Sequence, residues 1–188
     1  MAIDAGADML GFVFVPGTPR GLDPAAVGWI AGLEGAATVG VFRDAKLSVV
    51  KATRDRLDLD WVQLHGNEPE PFIELLGSDV MRRVVPHAGL EWTDLARLAE
   101  ICVPLIDPGG GDGVTWDWER LGNPPEGLRY GVAGGLDPDN VASAIRALRP
   151  WLVDVSSGVE LLAGVKDRER VVAFVQNARQ AAAQDSIE

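Results

Sequence analysis

Cysteine occurs once in this sequence and histidine twice, at Cys102, His65 and His87. One cysteine excludes an intramolecular disulfide framework, and no Cys/His cluster offers a zinc site. No metal is therefore expected, and a reducing cytoplasm is the natural setting. Basic residues are also scarce: 17 Lys and Arg stand against 28 Asp and Glu, for a formal net charge of −11. A nucleic-acid surface needs clustered Lys and Arg, so nucleic acid is excluded as a partner, and so is docking on anionic lipid. The N-terminal residues Met1–Leu10 carry two acids and no base. They lack the charged start and apolar core of a secretion signal. No apolar run approaches the ~20 residues that a membrane span requires.

What is present repeats. Short runs rich in β-branched residues alternate with segments of helical periodicity. The runs are 9–14, 37–42, 60–65, 80–85, 102–107, 128–133 and 151–156, and their starts lie 20 to 28 residues apart. Near-continuous apolar strands that alternate with helices predict a parallel sheet covered on its outer face. Asp23-Pro24 reads as an N-cap with proline at the first helical position, opening a helix to about Glu34. Asp137-Pro138 repeats the device before a helix ending near Leu148. Further helices are expected over 46–57, 69–76, 90–100 and 167–182, a short turn from Asp117, and a frayed tail over 184–188. No linker divides the chain, so residues 1–188 read as one domain. Seven strands are one short of a (β/α)₈ barrel. Met1–Asp8 reads as the tail of a helix with Gly6 near its end, which implies a strand missing ahead of it.

In a parallel barrel the strand C-termini and the loops after them build the site. The polar residues at those positions are Arg20, Arg43-Asp44, Gln63 with His65, His87, Asp107, Gly134-Gly135, and Asp154 with Ser156-Ser157-Gly158. The last two groups fall where many barrels hold a phosphate on backbone N–H groups. A Gly-Gly after a strand is also an ordinary tight turn. Its pairing with Ser-Ser-Gly on the next strand favours phosphate. Asp107 ends an apolar strand ahead of a Gly-rich loop, 109–113. It is either a turn cap or a carboxyl whose poor solvation suits it to general acid work. His65 is either a ligand-facing group or a satisfied structural histidine.

Six motifs then occur in order: Gly11–Arg20, Val39–Phe42, Val62–Gly66, Leu105–Trp118, Gly134–Val141 and Val153–Glu160, followed by Lys166-Asp167. Together they resemble the phosphoribosylanthranilate isomerase family of tryptophan biosynthesis, from about Ile3 to Asn177. The resemblance implies a TIM-type (β/α)₈ fold and an Amadori rearrangement of a phosphorylated aminoaldose, with no cofactor. It implies Asp107 as the general acid and Arg20 opposite the anthranilate carboxylate, since a guanidinium suits that planar partner. Gly134, Gly135, Ser156, Ser157 and Gly158 fall on its phosphate motifs. Gln63, His65 and Asp154 line the same mouth as substrate-binding residues.

The family begins with a strand bearing a Lys-Ile-Cys-Gly motif whose cysteine is the general base, and this sequence contains no such motif. Cys102 cannot replace it: it starts the strand that Asp107 ends, about 16 Å away. Two readings follow. One is an isomerase scaffold that is weakly active or inactive for want of its base. The other is a non-catalytic phosphate-binding or self-assembling barrel. The strands flanking the gap, 9–14 and 151–156, are apolar and carry neither Lys nor internal Pro, so a homodimer through exposed strand edges is expected.

Overall fold

The computed structural model describes residues 1–109 and 121–185. Within them the chain runs α1 (Ala2–Ala5), β1 (Met9–Val13), β2 (Ala37–Phe42), α2 (Leu47–Leu57), β3 (Trp61–Leu64), α3 (Glu70–Leu76), β4 (Val80–Val84), α4 (Trp92–Ala99), β5 (Val103–Ile106), β6 (Gly131–Val132), α5 (Val141–Leu148), β7 (Leu152–Val153), β8 (Glu160–Leu162), β9 (Val165–Lys166) and α6 (Arg168–Asp185). The first seven strands form one sheet in sequential order, every pair parallel. All seven fall within the expected apolar runs. The sheet curls as in a TIM-type barrel, with helices outside.

Side-chain parity organises the packing. In β1 to β6 the odd-numbered residues point inward: the register aligns Met9, Gly11 and Val13 with Ala37, Val39 and Val41, and Val39 and Val41 with Trp61 and Gln63. In β7 the even-numbered Leu152 and Asp154 point inward, because Leu152 pairs with Gly131. The lower interior is a small apolar layer of Val39, Met81 and Val103 packed with Met9, Trp61 and Leu152. Beneath it the Arg129 guanidinium lies 3.7 Å from the centroid of Trp151 and 5.4 Å from that of Trp61. This arginine–tryptophan stack closes the bottom of the barrel. The outward residues build two larger cores. One gathers Phe14, Phe42, Val62, Leu64 and Val80 with α2 and α3, and the other Ile106, Val132 and Tyr130 with α4, α5 and α6.

Local chemistry explains most boundaries. Gly6 ends α1 in the left-handed conformation at φ 92°, as expected from the sequence. Glu91 and Asp94 form a reciprocal capping box at the start of α4. Three expectations are corrected. Asp23 Oδ1 does accept the Ala25 N–H at 2.8 Å, yet no α-helix follows. The segment forms a turn and a 3₁₀ stretch, Gly28–Gly32, because two glycines and Val27 weaken helix propagation there. Asp137 caps a turn, accepting from Asp139 and Asn140, and α5 begins only at Val141. Residues 184 and 185 belong to α6 rather than to a frayed tail. The turn expected at Asp117 and the Gly-rich loop beyond Gly109 lie outside the described residues. The β8–β9 hairpin was not expected from the sequence.

Among the described residues, no strand pairs with the outer edge of β1 or of β7. The helices nevertheless meet across that seam. Ala2 and Ala5 of α1 pack on the core that contains Val171, Phe174 and Ala181 of α6. Arg179 of α6 donates to the Gly6 carbonyl at 2.7 Å and pairs with Asp8 at 2.8 Å. The edges expected to be exposed thus line an interior cavity walled on its outer side by α1 and α6.

Phe42 is fully buried and stacks on Phe14 with ring centroids 5.5 Å apart. Phe42→Ala removes a ring at the centre of the first core and is expected to destabilise the fold by about 3–5 kcal/mol, measured by urea unfolding. A loss below 1 kcal/mol would show that this core does not hold β1 on β2.

Candidate functional site

A cavity of about 720 Å³ runs from the lower layer, at Met9, Met81 and Leu152, and the inner faces of α1 and α6 up to the C-terminal end of the sheet, where the polar groups gather. Nine of the ten candidate residues line it: Arg20, Gln63, His65, Asp107, Gly134, Gly135, Asp154, Ser156 and Ser157. Five different strand ends, those of β1, β3, β5, β6 and β7, supply them. Gly158 is not among the lining residues. A Cβ there would come 1.8 Å from the Leu136 carbonyl oxygen, so this glycine permits two loops to touch. His87 is exposed and accepts the Gly89 N–H at 3.2 Å, away from the cavity.

Asp107 sits at the centre, 7% exposed. Its Oδ1 accepts the Gly109 N–H at 2.7 Å, and its Oδ2 lies 3.5 Å from His65 Nε2. The first contact is the turn cap considered from sequence, and the second turns the other oxygen toward the cavity. Arg83 Nε donates to the Asp107 carbonyl at 3.1 Å. Gly109 suits its φ of 76°, which L side chains rarely adopt, and a Cβ there would also displace the Arg83 guanidinium. Gly134, at φ 79°, is required for the same kind of reason: a Cβ would come 2.7 Å from Asp107 Oδ1.

The titration behaviour of the neighbours follows from burial and charge. Burial, then the cations Arg83 and Arg43, lower the His65 pKa against the opposing pull of Asp107, so the ring is held neutral. Burial first, and the Asp107 charge second, raise the pKa of Asp154, with Lys166 and a hydrogen bond from Gln63 working against them.

The ends of β6 and β7 lie side by side and form the turns read as phosphate-binding. Gly135 has φ 66°, which a non-glycine residue rarely adopts. The Gly135 carbonyl accepts from Asn140 Nδ2 and the Ser156 carbonyl from Lys166 Nζ, both at 2.8 Å. Among the described residues no backbone acceptor takes the N–H of Gly135 or Ser157. Satisfied carbonyls and free N–H groups suit an anion.

Arg20 is engaged already. Its Nε and Nη2 donate to Glu160 Oε1 at 2.9 Å and Oε2 at 2.5 Å, and Lys166 Nζ reaches the same carboxylate at 3.0 Å. This two-toothed pair joins the loop after β1 to the hairpin after β7, across the seam. Sequence reasoning missed Glu160, Lys166 and Arg83 as site residues. Arg83 was findable, because it shares inward parity with Met81, whereas its neighbour Arg82 has the opposite parity. Glu160 was not, since nothing in the sequence pairs it with a residue 140 positions away.

Cys102 is buried at the opposite end of the barrel, donating weakly to the Leu98 carbonyl, and burial pushes its thiol up to about 11. It is a packing residue, as expected.

Residues 1–177 match the family described as N-(5′-phosphoribosyl)anthranilate isomerase. A curated protein of that name from Geobacter sp. (strain M21) is 43% identical over 185 residues, covering 95% of this chain and 91% of its own. The crystal structure of the phosphoribosyl anthranilate isomerase from Thermus thermophilus superposes with a TM-score of 0.82 at 29% identity, over 95% of this chain and 91% of that one. A structure of mutually generated monomers of the dimeric enzyme from Thermotoga maritima gives 0.79 at 30% identity, over 95% and 90%.

The Arg20–Glu160 pair carries a pH signature. The bond from Arg20, reinforced by Lys166, lowers the Glu160 pKa to about 2 from its ordinary 4.5. A depressed carboxylate contributes stability above its unfolded pKa and loses it as pH falls through the folded one. Stability is therefore expected to drop between about pH 4.5 and pH 2. Glu160→Gln should flatten that part of the profile, read by urea midpoints along a pH series. An unchanged slope would mean that the pair does not hold the seam.

Proposed function

This chain belongs to the N-(5′-phosphoribosyl)anthranilate isomerase family, and from that premise we propose that it binds N-(5′-phosphoribosyl)anthranilate and converts it slowly to the aminodeoxyribulose phosphate. The observation that carries the reading is the convergence on one cavity of Asp107, Arg20 and both anion-suited turns. The phosphate sits against the N–H groups at Gly134-Gly135 and Ser156-Ser157, and the anthranilate carboxylate exchanges with Glu160 on the Arg20 fork. Asp107 gives its proton to the furanose oxygen and opens the ring to a Schiff base. His65, held neutral, orients the Asp107 carboxyl, and Gln63 and Asp154 bond to the sugar hydroxyls. Loss of the C2′ proton to a base then yields the enolamine, which tautomerises to the ketose. No family-type cysteine base stands in this sequence, and the absence of a general base typically costs on the order of 10²–10⁴-fold in rate. A biosynthetic role of this kind favours a cytoplasmic setting.

Loss of anthranilate fluorescence during turnover tests the reading. Weak activity is expected, and Asp107→Asn should remove it. Turnover at a rate ordinary for enzymes, with kcat near 10 s⁻¹, would refute the slow-base assignment. An Asp107→Asn variant as active as its parent would refute the acid. Binding is separable from turnover. By calorimetry, Gly135→Asp should weaken phosphosugar affinity at least tenfold, because it sets a carboxylate and a strained backbone against the phosphate. Unchanged affinity would move the phosphate elsewhere.

The dimeric state described for the Thermotoga maritima protein favours a homodimer as a second element of the proposal. Light scattering on a size-exclusion column should then give twice the 20.0 kDa chain mass. A 20.0 kDa species at every concentration would overturn it.

A further inference from the structure

We propose that Arg43 and Arg83 form a second anion subsite, which fits the cavity for phosphosugars that carry an oxyanion at each end. The proposal rests on the phosphate reading of the β6 and β7 turns and supplies a partner for the far end of the ligand. Strand register makes the case. Val41 pairs with Gln63, and Gln63 with Met81. Two residues further along, the same ladder brings Arg43, His65 and Arg83 to one rung. The His65 N–H, bonded to the Phe42 carbonyl at 2.7 Å, carries the ladder past the end of β2. All three positions share the inward parity, and all three residues line the cavity. Neighbouring strands lie about 4.8 Å apart, so side chains of one rung can reach one ligand group.

The acids nearby are turned elsewhere. Asp44 Oδ1 accepts the Asn67 N–H at 2.8 Å, and the Glu68 carboxylate accepts the N–H groups of Asp44 at 2.7 Å and Gly66 at 3.0 Å. Arg82, of the opposite parity, donates to the Glu68 carbonyl. Arg83 uses Nε on the Asp107 carbonyl. Among the described residues, neither of its Nη atoms and no nitrogen of Arg43 has an acceptor or an ion-pair partner. The other cations of the cavity are engaged: Arg20 and Lys166 with Glu160, and Arg179 with Asp8. Burial, and then the Asp107 charge, hold Asp154 toward its neutral form, which leaves Asp107 to balance two arginines. Guanidinium groups with open donors suit an oxyanion. In a chain of net charge −11 this wall runs against the overall sign. β4 stands two strands from β6, roughly 10 Å along the sheet. A five-carbon sugar with a phosphate at each end covers that order of distance, with its carbon chain passing Asp107 and His65.

Calorimetric titration of the full chain compares ribulose 1,5-bisphosphate with ribulose 5-phosphate, which lacks only the phosphate at C1. The bisphosphate is expected to bind about tenfold tighter. Arg43→Ala combined with Arg83→Gln should abolish that preference and leave the affinity for ribulose 5-phosphate unchanged. Arg43→Lys combined with Arg83→Lys keeps both charges and should retain most of the preference. Arg43 is exposed at the rim, so Arg43→Ala alone carries the test if the double variant fails to fold, and it should reduce the preference about threefold. Proton NMR adds a reading on the parent chain. The bisphosphate, and not the monophosphate, should shift the ring signals of His65 and leave those of the exposed His87 in place. Equal affinity of the parent for the two ligands, or a preference unchanged in the arginine variants, would overturn the proposal. So would a preference lost in Arg20→Lys but kept in Arg43→Ala, since the Arg20 fork would then hold the second phosphate. Ribulose 5-phosphate binding that Gly135→Asp leaves intact is a separate failure, that of the phosphate reading of the turns. None of these readouts depends on isomerase turnover.

Discussion

Every second side chain of a strand faces the same way, and in a sheet of seven parallel strands this alternation decides what the molecule can do. A single parity sends Met81 and Val103 into an apolar lower layer and, one step further along the same strands, Arg83 and Leu105 into the barrel beneath the mouth. The opposite parity sends Phe42, Val62 and Ile106 out to the helices. A one-residue slip in any strand would exchange the two sets. The apolar core therefore fixes the register, and the register places Gln63, Asp107 and Asp154 on one cavity.

The charged groups of that mouth cannot be understood singly. Arg83 reaches the backbone of Asp107, and its charge, after burial, keeps the neighbouring His65 neutral. Asp107 in turn raises Asp154, while Lys166 opposes the effect and also feeds Glu160. Glycines at 109 and 134 allow these groups to approach, because any side chain there would strike Arg83 or Asp107. Small residues at strand ends are in this sense part of the polar machinery.

Ring closure is achieved differently in the two layers. The strand layer ends in two edges, whereas the helix layer meets through α1 and α6, and the upper rim meets through Arg20 and Glu160. Both bridges use an arginine, whose planar fork can hold two acceptors at once. The space between the two edges is thus bounded and continuous with the functional cavity above it.

Alternation of apolar runs with helical segments was enough, from sequence, to place all seven strands, their parallel pairing and the helices α1 to α6, because burial on both faces demands apolar strands. The same logic located nine of the ten cavity residues, since strand C-termini are where a parallel barrel exposes polar groups. The rest was decided by contacts between residues distant in the chain. A helix was expected after Asp23 because its cap is present, but two glycines and the packing against β1 and α2 leave only a 3₁₀ stretch. The close approach of the Leu136 loop to Gly158 is likewise visible only in the assembled structure. The Glu160 partner of Arg20, the neutral state of His65 and the inward-facing seam depend on how far the sheet curls. That is a property of the assembled layers, and no local stretch of sequence encodes it.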